Sequence, residues 1–123
     1  MKDLQKKFEA LIADWELAGP KKIFGYEVYA ANRKMFAWVN DDSVALTALP
    51  EAERIEVTKK FGAYPYAMPD RVFKKWLIVP VPDAATFKRL IPYMRRSYDT
   101  AFAESLEPKP LKPRMAKRTR KER

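Results

Sequence analysis

The side chains on which most enzymes rely for nucleophilic or metal chemistry are missing from this chain: among its 123 residues there is no His and no Cys. That composition removes the usual zinc, iron and copper ligand sets, disulfides and thiolates, the Ser-His and Cys-His nucleophile pairs and the commonest general base. Carboxylates remain, and with them hydrolysis by paired acids or a Mg²⁺ site. The adjacent pair Asp41-Asp42 sits in a turn-forming stretch with Asn40. Neighbours on a turn point apart, and Asn and Asp there bond to local backbone, so the turn reading outranks a catalytic or metal one. Asp70-Arg71, after Pro69, reads the same way. With only Gly19, Gly25 and Gly62 there is no glycine-rich phosphate loop. Nothing assembles into an active-site constellation. No catalytic residue, metal, cofactor or small-molecule substrate is expected, and the chain reads as non-enzymatic.

Positive charge and aromatic rings are what it offers instead. The seventeen residues from Glu107 carry eight Lys and Arg against two acids, so +6 of the net +9 belongs to this stretch. Three prolines between Pro108 and Pro113, followed by charged residues, cannot bury a core and read as a linker and a disordered basic tail. Lys112, Arg114, Lys117, Arg118, Arg120, Lys121 and Arg123 are the candidate phosphate contacts there. They lack a helical stripe and base-reading side chains, so binding to DNA or RNA through them would be electrostatic, non-specific and salt-sensitive. A solvated solubility tail is the competing reading. A second set of candidate cations, Lys88, Arg89, Arg95 and Arg96, falls on the outward side of the last helix. Tyr26, Tyr29, Phe36 and Trp38, on neighbouring strands, could stack on unpaired bases. Alternation sends some of them to a helix-covered face, so core packing is the favoured role, and no RNA-recognition signature is legible.

The elements that must position these residues follow from periodicity. Leu4, Phe8, Leu11, Ile12 and Trp15 make one helical stripe, with Asp3 as cap and Gly19-Pro20 as stop. Phe24, Tyr26, Val28 and Ala30 alternate, Lys34 to Val39 is rich in strand formers, and Val44, Leu46 and Ala48 alternate again. Turns at 31–33 and 40–42 join these into an antiparallel meander. A helix is predicted from Pro50 to Phe61, closed by Gly62. Tyr64 to Met68, interrupted by Pro65, reads as a short edge strand or an irregular lead-in, and Lys75 to Val81 as a central strand until Pro80, with Trp76 largely buried. Asp83 caps a last helix with the stripe Phe87, Leu90, Ile91, Met94, Tyr98, Ala101 and Phe102, and a kink is expected at Pro92. The order α-β(3)-α-β(2)-α predicts a two-layer α+β fold, an antiparallel sheet covered by helices, over residues 1–106. No apolar run reaches the ~20 residues that cross a bilayer. The N-terminus lacks the apolar stretch of a signal peptide, so a cytoplasmic location without membrane contact is expected.

Residues 22 to 102 resemble the N-terminal domain of TfoX/Sxy proteins and the related YjbR (MmcQ-like) small bacterial proteins. The likeness lies in Ile23-Phe24-Gly25, in Lys34-Met35-Phe36-Ala37 and in Asp41-Asp42 before Val44 and Leu46. It continues in Phe61-Gly62 before the 64–68 stretch, in Lys75 to Val79 and in Arg96-Ser97-Tyr98. Tyr26 stands where a second glycine is usual. These are packing and turn motifs. The resemblance implies the same α-β(3)-α-β(2)-α fold and a role in regulation, since TfoX-like proteins are associated with competence and DNA uptake and YjbR-like proteins have been suggested to bind DNA. It implies no catalytic residue. A protein-interaction adaptor is the alternative function.

Overall fold

In a computed structural model, residues 3–23 and 25–106 are described; the basic tail lies outside them. Three helices pack on one face of a six-stranded antiparallel sheet of order β1-β2-β3-β4-β6-β5. The chain runs α1 (Leu4–Ile12), β1 (Ala18–Ile23), β2 (Tyr26–Ala31), β3 (Lys34–Val39), β4 (Ser43–Leu46), α2 (Glu51–Phe61), β5 (Tyr64–Met68), β6 (Arg71–Pro80) and α3 (Ala84–Leu106). The α+β class is as expected, with four strands before α2 rather than three.

The added strand is β1, and it contains the Gly19-Pro20 pair that reads as a helix stop. Helix α1 ends earlier, at Ile12, and the chain turns through Trp15 and Leu17 before entering the sheet. A proline is tolerated here because β1 is an edge strand with one side free of partners. Asp3 starts α1 in a left-handed conformation and its side chain makes no cap bond, so the expected capping role fails. The other boundaries follow local chemistry. Asn32, at φ 60°, makes the β2–β3 turn, and Gly62, at φ 68°, closes α2. Asp83 Oδ1 accepts from both the Thr86 N–H and its hydroxyl at 2.8 Å, capping α3. That helix runs unbroken through Pro92, which is exposed.

The core lies between the sheet and α1, α2 and α3. Phe8, Tyr29, Phe36, Leu46, Val57, Val79, Leu90, Met94 and Tyr98 are among its buried members. Two irregularities decide which residues reach it. Tyr29 pairs with Ala37 but Ala30 pairs with Met35, so Phe36 is an extra residue, a bulge, in β3. The bulge turns Phe36 toward the helices, where its ring meets Phe8, Trp15 and Tyr98. Its carbonyl accepts from the Thr47 N–H and from the fully buried Ser97 hydroxyl on α3 (2.7 Å). In the second irregularity, Pro65 pairs with Leu77 but Tyr66 with Phe73, leaving Lys74, Lys75 and Trp76 unpaired against β5. Trp76 is only half-buried, contrary to expectation, because it stands on the other side of the sheet.

Candidate functional site

The register fixes the composition of that other face. The cross-strand row Tyr29, Ala37, Leu46 and Leu77 belongs to the helix side. The adjoining row Trp38, Ala45, Ile78 and Tyr64 therefore points away from it. Val28, Ala30, Ala45 and Ile78 are buried yet stand outside the helix-side cluster. Around them rises a group of aromatic rings. Trp38 meets Tyr66 and Trp76 edge-on at 5.2 and 5.6 Å, and Phe73 stacks on Trp76 at 4.6 Å with planes 12° apart. The three unpaired residues of β6 bring Phe73 and Trp76 onto one face. The Arg71 guanidinium lies 4.6 Å over the Phe73 ring. Tyr26 and Tyr64, on the same face, are 75% and 53% exposed.

Where β3 begins and β4 ends, between that end of the sheet and helices α2 and α3, a cleft of about 1100 Å³ opens, and it meets the aromatic face at Trp76. Among the described residues it is lined by Lys21, Arg33, Lys34, Arg54 and Lys75, with Glu104 the only acid, and Trp76 is common to cleft and aromatic group. Lys34 is paired with Glu104 at 3.1 Å. Lys21 Nζ donates to the Arg33 carbonyl (3.3 Å), Arg33 to the Ser105 carbonyl (3.2 Å) and Arg54 to the Leu49 carbonyl (2.7 Å). These bonds orient the cations without neutralising them, so the cleft keeps a positive excess suited to an anion. Four separate stretches of chain supply the five cations, only Arg33 and Lys34 being neighbours in sequence, so no local motif betrays the site.

Other candidates come out differently. Of the four aromatics singled out in the sequence, Tyr29 and Phe36 are core, as favoured there, whereas Tyr26 and Trp38 stand on the helix-free face. The Tyr29 hydroxyl donates to Glu9 (2.7 Å) and accepts from Gln5 (3.1 Å), both on α1. Burial first, and the bond to Glu9 second, push this phenol up to about 12. On α3 the four cations do not form one stripe. Arg95 pairs with Asp99 (3.1 Å) and covers the Trp15 and Tyr98 rings, on the side of α1. Arg96 pairs with Glu53 of α2 (3.3 Å) and Arg89 lies over Phe61 of α2, leaving Lys88 exposed. Lys112, Arg114, Lys117, Arg118, Arg120, Lys121 and Arg123 lie outside the described residues.

Asp41 and Asp42 are exposed in the β3–β4 turn, as is Asp70 in the β5–β6 turn. Among the described residues, no three His, Cys, Asp or Glu side chains gather as a metal site, and no helix is long and apolar enough to cross a membrane. Comparison with protein-family models, with curated proteins and with solved structures finds no match for this chain.

Proposed function

We propose that this chain is a non-enzymatic, cytoplasmic accessory protein that acts in regulation by binding nucleic acid, as its resemblance to TfoX-like and YjbR-like bacterial proteins implies. The observation that supports this best is electrostatic. The chain carries a net +9, two thirds of it in the tail, and its folded part presents a cleft of five cations against one acid. Phosphate contacts of this kind confer affinity with little sequence preference. The helix-free aromatic face supports a second reading, a protein-interaction adaptor in which that face meets a partner and the tail is incidental.

Duplex DNA titrated at two salt concentrations, with the full chain and with a chain ending at Leu106, separates these readings. If roughly four to six tail cations contact phosphates, the logarithmic salt slope is about −4 to −5. Affinity then falls by about two to three orders of magnitude between about 50 and about 200 mM salt. Truncation at Leu106 removes most of that slope. A slope that survives truncation assigns the binding to the folded part. No binding at low salt refutes the nucleic-acid reading and leaves the adaptor.

A further inference from the structure

The six strands hold a single acid, Glu27, and the register puts it on the helix side, where Gln5 of α1 bonds to it at 3.3 Å. The same strands hold six cations. The register puts Lys21, opposite Val28, on the helix-free side, where Arg71 also lies, over the Phe73 ring. Lys22, opposite Glu27, and Lys34, paired with Glu104, lie on the helix side, Lys74 lies against α2, and Lys75 stands at the cleft. The helix-free face is therefore aromatic, free of carboxylate on its strands, and bordered by positive charge. A second copy of the chain is a poor occupant for it, since two such faces repel. A carboxylate-rich protein would use the cations but leave the rings uncompensated. An unpaired nucleic-acid strand satisfies both, with flat bases for the rings and one phosphate per nucleotide for the cations.

We propose that the helix-free sheet face binds single-stranded nucleic acid. Bases stack on the exposed ring of Tyr26 and on the Trp38–Tyr66–Trp76 group, and the backbone runs toward Lys75, Lys21 and Arg33 at the mouth of the cleft. A duplex cannot use the rings, because its bases are already stacked. The inference rests on the nucleic-acid reading above and adds the form of the ligand and the surface that takes it.

The test uses the full chain with oligothymidylate, oligouridylate and a DNA duplex, each of about 16 units, the upper end of single-strand site sizes in other proteins. Affinity comes from anisotropy, and tryptophan fluorescence reports stacking on Trp38 and Trp76. Expected are tighter binding of one or both single strands than of duplex, by about tenfold or more, and tryptophan quenching by single strands alone. Tyr26→Ala, at a position too exposed to matter for folding, weakens single-strand binding by about fivefold or more, the low end for losing one stacked base, and leaves duplex binding unchanged. Lys75→Glu weakens single-strand binding as well. Comparison of the two oligonucleotides tells DNA from RNA. Equal affinity for strand and duplex, no quenching and no effect of Tyr26→Ala overturns this inference while leaving tail-borne binding intact. No binding of any nucleic acid overturns both. Dimerisation that Tyr26→Ala abolishes, without strand binding, assigns the face to a protein contact and also overturns it.

Discussion

Replacing Ser97 by Ala probes the contact that fixes the β3 bulge to helix α3. The hydroxyl is fully buried, donates to the Phe36 carbonyl at 2.7 Å and accepts from the Ala48 N–H at 3.1 Å. In Ser97→Ala the Phe36 carbonyl keeps its bond from the Thr47 N–H, so its loss is that of one ordinary hydrogen bond, about 1 kcal/mol. The Ala48 N–H, in a half-buried loop, loses its acceptor, and leaving such a donor unsatisfied costs about 1–3 kcal/mol when fully enclosed. Partial access of water to Ala48 puts that cost at the low end. The expected destabilisation is therefore about 2 kcal/mol, or about 8 °C in Tm for a domain of this size. Urea unfolding gives the number, and the slope of free energy against urea should not change. Amide exchange supplies the specific readout: the Ala48 amide should lose protection more than its neighbours. A loss under about 0.5 kcal/mol, or unaltered exchange at Ala48, would show that the hydroxyl does not hold the bulge.

Two titrations give further tests. Asp83, held below the usual carboxylate range by the Thr86 N–H and hydroxyl, contributes stability at pH above its unfolded pKa and loses it as pH falls through the lowered folded value. Asp83→Asn keeps an acceptor for the cap, so Tm followed from neutral to acid pH should lose part of its acid limb; an unchanged limb refutes the assignment. Tyr29 behaves oppositely, because the fold favours the neutral phenol. Its contribution is complete below pH 10.0 and is lost as pH rises toward about 12. Tyr29→Phe gives up the bonds to Glu9 and from Gln5, the first of them to a carboxylate and by itself about 1.5–3 kcal/mol at neutral pH, and should flatten the alkaline decline in unfolding free energy. A decline as steep as in the unaltered chain would place its cause elsewhere, for instance at Tyr98, whose phenol burial also raises.

Where a few adjacent residues set the backbone, the sequence alone determined the structure. Asn32 in its turn, the end of α2 at Gly62, the Asp83 cap of α3 and the edge position of Pro65-containing β5 were all legible, because each depends on local dihedral preferences and nearby hydrogen bonds. The α+β class followed from the switch between two periods. Tertiary structure decided the rest. Gly19-Pro20 carries a helix-stop signal, yet pairing with β2 makes it part of a strand, a long-range contact that no local signal announces. Alternation along Lys34 to Val39 puts Phe36 and Trp38 on one face. One inserted residue shifts that parity, so Phe36 goes to the core and Trp38 to the open side. The cationic cleft is the plainest case, because Lys21, the neighbours Arg33 and Lys34, Arg54 and Lys75 come from four separate stretches of chain. Hydrophobic period tells that a strand has two faces. Which face the helices cover, and which charges then meet at its end, is set by how distant segments dock.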